Sequence, residues 1–385
     1  MTATPAAVPR IASAPAWDVA GLLGVDPGQA PAALAVLVDD ALGLRPDPNL
    51  TTVEDVDYPF GSPATGALLR VRGADDSGRS WSLFVKVLQH VRHWPELAAL
   101  PPQYRREFSD SFPWRQELEL WDAAVVATLP QGLRAPVLHR LVELPDERLA
   151  LWMEDVTVDP TPWGLDRFAR AARLLGRWNA RSASAGVLAA CGLPHGFGLR
   201  MYAERAVPMR GLAILGDDGL WSHPWLREHG DLRARLRTLG AQIPTWLDRL
   251  DALPQAVPHG DASPQNLLPE PDGGFVIIDL SFRSPHAIGF DLGQLVVGLV
   301  HADVLPAAAL PDLTAVVEPA YVAGLADEGL TGLDAVVHEA FTITSMIRSG
   351  FDGLRLDLLA TSAPQDRAAF DQRVALSRFL AGRLP

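Results

Sequence analysis

The chain has 385 residues, with 33 basic against 46 acidic side chains and a formal net charge of −13. Hydrophobic residues at 48% and charged residues at 21% are ordinary globular usage, so the chain can bury a core, and two domains or lobes are expected. The acidic balance excludes nucleic acid as the main partner, no apolar run is long enough to span a membrane, and the single Cys191 allows neither an internal disulfide nor a cysteine-based zinc site. The Ala- and Pro-rich start has no basic segment followed by an unbroken apolar run, so no signal peptide is read there and a cytoplasmic location is expected.

Residues 1–50 read as an N-terminal helical extension, with an apolar run from Ala32 to Val38 and a stop at Pro46 and Pro48. The small-residue stretch Gly61-Ser62-Pro63-Ala64-Thr65-Gly66, led by Phe60, reads as a loop. Strands are expected at 67–71 and 81–87, turned at Gly73 to Gly78, and again at 136–142 and 148–153, turned at Pro145-Asp146. A helix fits Pro113 to Val126, where Leu118, Trp121 and Val125 share a face. After Glu154-Asp155 the chain becomes helical, with a strongly amphipathic helix from Leu165 to Ala180. Further helices are expected near 228–252, 290–303, 313–326, 332–348 and 365–383. Strands first and helices later imply an α+β protein of two lobes. Residues 51–154 would form a sheet-bearing N-lobe with a helix, and 155–385 a larger, mostly helical C-lobe.

The basic residues are 32 arginines and one lysine, Lys86, which lies inside an apolar strand pattern. A chain that otherwise uses arginine throughout keeps a compact ammonium at this one place, where a guanidinium is no substitute.

The stretch richest in chemistry is His259-Gly260-Asp261-Ala262-Ser263-Pro264-Gln265-Asn266, followed by the apolar run Phe275 to Ile278 and Asp279. Pro271 to Gly274 is a turn, so Leu267-Leu268 and 275–278 should pair as a hairpin that draws Asn266 and Asp279 together. Two oxygen ligands of this kind suit Mg²⁺, which completes its shell with phosphate and water. Asp261 would face an incoming hydroxyl as base or positioner.

Here the sequence resembles the aminoglycoside phosphotransferase-like family of small-molecule kinases, whose fold is related to that of protein kinases. The resemblance rests on His-Gly-Asp, four residues, then Asn at 259–266; on Asp279 after a short strand; and on Gly289-Phe290-Asp291-Leu292. It is supported upstream by Lys86 on a strand, by Glu117 as the partner of that lysine with Glu119 as the other candidate, and by Leu151-Trp152-Met153-Glu154-Asp155-Val156 as the hinge. It covers roughly 60–300 and departs from the family at Ser263-Pro264, at Leu280-Ser281 and at Asn179, which ends a helix where the family has a histidine-like position.

The resemblance implies an ATP-dependent phosphotransferase acting on a hydroxyl of a small molecule, with Mg²⁺. Asp261 would be the catalytic group, and Asn266 and Asp279 would hold the metal. Lys86 and Glu117 would serve the α/β-phosphates, Gly61, Ser62 and Gly66 would cover the phosphates, and Met153, Glu154 and Val156 would frame the nucleobase. His259 and Asp291 would brace the catalytic loop. Only eleven residues separate Asp279 from Asp291, too few for a peptide-ordering activation segment, so a small hydroxylated acceptor is favoured over a protein. Asp303, Glu318, Glu339, Asp352 and Asp357 are available to a cationic acceptor. A nucleotide-binding pseudokinase regulating a partner is the alternative, and a metal-dependent phosphohydrolase built on His259 and Asp261 is a third reading.

Overall fold

The computed structural model describes residues 17–58, 61–280, 283–360 and 363–385; Phe60, Ser281 and the first sixteen residues of the expected N-terminal extension lie outside them. The chain divides into two compact units. One holds the described residues through Trp121 together with Ala135–Val158. The other holds Asp122–Arg134 and Asp159–Pro385. The α+β class is the one expected from the order of strands and helices.

The first unit is built on a five-stranded antiparallel sheet. Its strands are β1 (Thr52–Asp55), β2 (Thr65–Ala74), β3 (Ser80–Gln89), β4 (Leu138–Leu144) and β5 (Arg148–Glu154), in the order β1-β2-β3-β5-β4. Strand β1 was not expected: its four residues are mostly exposed and lack an alternating apolar pattern. Alternation sorts the side chains of β3 to two faces. Leu83, Val85 and Val87 join Leu69, Val71 and Trp152 in one cluster, which helices α1 (Val19–Leu23) and α2 (Ala30–Leu42) cover through Leu22, Leu34, Leu37 and Val38. The Trp152 indole N–H donates to the Leu22 carbonyl (3.0 Å) inside that layer. Helix α2 stops at Gly43, in the left-handed region at φ 65°, ahead of the prolines expected to end it.

The opposite face carries Phe84, Leu88, Leu149, Leu151 and Met153, packed against Trp114, Leu118 and Trp121. The helix expected over 113–126 is broken. Gln116–Trp121 forms a 3₁₀ segment, and Asp122 turns extended and caps a short helix, Ala123–Val126, by accepting the Ala124 N–H (2.7 Å).

The second unit is mostly helical. Its helices include α3 (Leu165–Ser182), α4 (Leu292–His301), α5 (Leu310–Asp327), α6 (Asp334–Ser345) and α7 (Arg367–Gly382). Helices α3 and α5 lie backbone to backbone. A Cβ on Gly176 would stand 2.2 Å from the Tyr321 carbonyl oxygen, and one on Gly324 would stand 2.0 Å from that of Arg173. Strands β6 (Leu267–Pro269) and β7 (Phe275–Ile277) form the expected hairpin, with Leu267 opposite Ile277, and Leu133–Arg134 adds a parallel third strand beside β7. Among the described residues no helix is long and apolar enough to cross a membrane.

Candidate functional site

In the first unit, the pleat that buries Val85 and Val87 on one side turns Lys86 to the other. Its ammonium lies 2.5 Å from the Glu117 carboxylate, both side chains being less than a tenth exposed. The 3₁₀ segment brings Glu117 there; Gln116 and Leu120 are buried beside it. Removing either partner of such a buried ion pair would leave an uncompensated charge.

Gly61 is exposed and Ser62 half-buried, and the Ser62 carbonyl accepts the Thr65 N–H (3.2 Å) in a turn. Gly66 lies inside β2 rather than in the preceding loop, at a bulge where the register with β3 shifts between Thr65 and Ala67. At the far end of β5, Met153 belongs to the buried face below Phe84, and the Glu154 carboxylate accepts the Val137 N–H (3.0 Å). Asp155 takes both the Arg70 guanidinium (3.0 Å) and the Ser82 hydroxyl (2.6 Å), which pins the chain as it leaves the sheet; Val156 follows, half-buried.

In the second unit, the stretch from His259 to Asn266 is a loop held by backbone groups. Asp291, 1% exposed, accepts the N–H of His259 at Oδ2 (3.1 Å) and that of Gly260 at Oδ1 (3.0 Å). Gly260 sits at φ 91°, a conformation that suits glycine. The Asn179 amide on α3 donates to Asp291 Oδ2 (3.0 Å) and to the Leu175 carbonyl (2.8 Å), which ties the loop to the helix core. Asn179 is therefore a structural partner of the loop. His259 is fully buried, edge-on to Trp178 at 6.0 Å, and its Nδ1 accepts the Asp261 N–H (3.2 Å). Burial holds its imidazole below the ordinary value, against the pull of Asp291, Asp261 and Asp279.

Asp261 and Asn266 meet directly. The Asn266 amide donates to the Asp261 carbonyl (2.9 Å) and to its Oδ2 (3.3 Å), so the amide oxygen of Asn266 is left as an acceptor. The hairpin continues this contact: the Ile278 N–H donates to the Asn266 carbonyl (3.1 Å), and Asp279 comes next, at φ 63°. A carboxylate residue in the left-handed region at the end of a strand is a strained feature, of the kind that gathers at functional sites. Burial raises the Asp261 carboxyl above the ordinary range; Arg348 opposes this, and the charge of Asp279 adds to it.

Asn266 and Asp279 supply an amide oxygen and a carboxylate, both hard oxygen donors. Among the described residues no group of three or more His, Cys, Asp or Glu is arranged to hold a metal alone. That donor set fits a magnesium ion, which needs only one or two protein groups when phosphates and water complete its shell.

The acidic residues available to a cationic acceptor are engaged elsewhere. Asp303 and Asp357 pair with Arg355, Glu318 with Arg383, Glu339 with Arg249 and Asp352 with Arg210. One contact was not anticipated: the Arg348 guanidinium, 87 residues along the chain, reaches Asp261 Oδ1 at 3.1 Å. No local pattern around Arg348 announces it.

No family model matches the sequence, and no curated protein matches it. Among solved structures, the chain is similar to the amicoumacin kinase hAmiN in complex with AMP-PNP, Ca2+ and Ami, at 14% identity and a TM-score of 0.49 over 91% of this chain and 93% of that one. It is also similar to the macrolide 2′-phosphotransferase MphH from Brachybacterium faecium, at 18% identity and a TM-score of 0.44 over 90% and 97% of the two chains. An aminoglycoside phosphotransferase from Alicyclobacillus acidocaldarius is similar as well, at 16% identity and 0.47 over 88% and 92%.

Proposed function

We propose that the chain is an ATP-dependent phosphotransferase that moves the γ-phosphoryl group to a hydroxyl of a small molecule. The observation that carries this reading is the joined arrangement of Asp261, Asn266 and Asp279. A carboxylate is held by the same amide whose free oxygen, with a strained neighbouring aspartate, makes a hard oxygen pair.

Phosphoryl transfer asks for alignment and charge neutralisation more than for covalent chemistry. Asp261 orients the acceptor hydroxyl and takes its proton as the new P–O bond forms. The bond from the γ-phosphorus to the β-bridging oxygen breaks, and ADP leaves with that electron pair. Asn266 and Asp279 would hold a magnesium ion, which would supply positive charge against the phosphates. Lys86, kept in place by Glu117, binds the α/β-phosphates; a point-charge ammonium suits that task, and the chain has no other lysine. Gly61, Ser62 and Gly66 offer backbone N–H groups to phosphate oxygens, and Met153, Glu154 and Val156 border the nucleobase.

Asp303, Glu318, Glu339, Asp352 and Asp357 each pair with an arginine, so neutral hydroxylated acceptors stand beside cationic ones in the range to be screened. The test is ADP release across a panel of hydroxylated compounds, in wild type and in Asp261→Ala. Turnover with at least one acceptor, lowered about 10²- to 10⁴-fold in the variant, is expected. A chain that binds no nucleotide with or without magnesium would refute the assignment.

A further inference from the structure

We infer that Arg348 is a positioning residue that fixes the Asp261 carboxylate for catalysis, an inference that rests on the phosphotransferase reading. The guanidinium grips the loop at two points. Nη1 donates to the Gly260 carbonyl (2.7 Å) and Nη2 to Asp261 Oδ1 (3.1 Å). The Arg348 side chain is 11% exposed and that of Asp261 24%, so the pair is largely shielded from water. Phe290 lies under the guanidinium at 5.5 Å and limits its movement.

The consequence is a division of labour between the two carboxylate oxygens. Among the described residues, Arg348 donates to Oδ1, and Oδ2 accepts only the longer 3.3 Å contact from Asn266. Oδ2 is therefore the oxygen turned towards an incoming hydroxyl. Asp291 holds the loop by the N–H groups of 259 and 260, and Arg348 holds the carbonyl of 260, so Gly260 is gripped at both its N–H and its carbonyl. A base paired with a guanidinium is a weaker base, but a loose phosphoryl transition state demands little proton withdrawal and much alignment.

The helix carrying Arg348 is shaped for this. Thr344 and Ser345 near the end of α6 bond back to the carbonyls of Ala340 (2.7 Å) and Phe341 (2.6 Å), and the helix then widens into a π segment, Met346–Gly350. A second π segment, Tyr202–Leu212, backs it: a Cβ on Gly211 would lie 2.9 Å from the Phe351 Cβ and 3.1 Å from its carbonyl oxygen. Widened turns change where a side chain points, and here the widened turn carries Arg348 to the loop.

The experiment uses the full chain with Arg348→Ala and Arg348→Lys. Three quantities are read: kcat for ADP release, affinity for ADP with magnesium, and amide hydrogen exchange at Gly260 and Asp261. Arg348→Ala is expected to lower kcat about 10²-fold with nucleotide affinity unchanged. Guanidinium ion at non-denaturing concentration should restore part of the loss. Arg348→Lys should remain impaired, since an ammonium does not span both acceptors. Wild-type kcat in a folded Arg348→Ala, a loss of nucleotide affinity equal to the loss of turnover, or full activity in Arg348→Lys overturns the role. Should the wild-type chain turn over no acceptor, the phosphotransferase reading falls. Exchange then decides the anchoring: faster exchange at Asp261 in Arg348→Lys upholds it, and unchanged exchange overturns it.

Discussion

Asp291 offers the sharpest perturbation. Three N–H donors converge on one buried carboxylate: the His259 amide and the Asn179 side chain at Oδ2, and the Gly260 amide at Oδ1. In Asp291→Asn the shape is kept, but only one oxygen remains. With that oxygen on the side of His259 and Asn179, two bonds survive in neutral form, each weaker by about 1 kcal/mol, and the Gly260 N–H faces an amide N–H and loses its partner at a further cost of about 1–3 kcal/mol. The expected destabilisation is thus about 3–5 kcal/mol. Because Asn179 and Asp291 share a bond, Asn179→Ala should cost about 1 kcal/mol less in the Asp291→Asn background than in wild type. Urea unfolding of the four proteins of this cycle measures that coupling, and hydrogen exchange at His259 and Gly260 reports whether the loss is local. Additive effects, within the 0.3–0.5 kcal/mol typical of independent sites, would show that the carboxylate does not organise the loop as described.

Glu117→Gln should remove the fixed partner of Lys86 and weaken nucleotide binding about tenfold or more, read by titration with ADP; unaltered affinity would detach the ion pair from nucleotide binding. Chelation of divalent cations should abolish ADP release, and magnesium should restore it; turnover in chelator would exclude the role given to Asn266 and Asp279. Burial lowers the His286 imidazole to about 3, and Arg348 and His195 add like-charge repulsion. Its folded value lies below the unfolded one, so the unfolded chain binds more protons between these values and stability falls as pH drops through 6.5 towards 3. From pH 7.5 to 5 this group alone should cost about 2 kcal/mol, a loss that His286→Gln should largely escape in urea unfolding measured at both pH values.

What was legible in the sequence is what local geometry writes. Alternation in β3 is visible as Leu83, Val85 and Val87 against Phe84 and Lys86, so the sequence places the sole lysine on a strand, and the structure shows which face it takes. The turn at Pro271–Gly274 foretold the β6–β7 hairpin, and hence that Asn266 and Asp279 lie at neighbouring strand ends. These features have periods or spacings of a few residues, and backbone sterics alone enforce them. The broken helix around Trp121 was missed because the apolar spacing is helical there, while Asp122 prefers to cap and the chain passes between units at that point.

The contacts that aim the chemistry were decided by tertiary structure. Asn179 and Asp291 are 112 residues apart, and Arg348 and Asp261 are 87 apart. Nothing in the neighbourhood of an arginine or an asparagine states which distant carboxylate it will meet. That is settled only when α3 and α5 close on their glycines and the helix after Ser345 widens. The sequence by itself determined the strand that bears Lys86 and the loop that bears Asp261. Packing over long chain separations decided which oxygen of Asp261 is held, because hydrogen-bond direction depends on where whole helices come to rest.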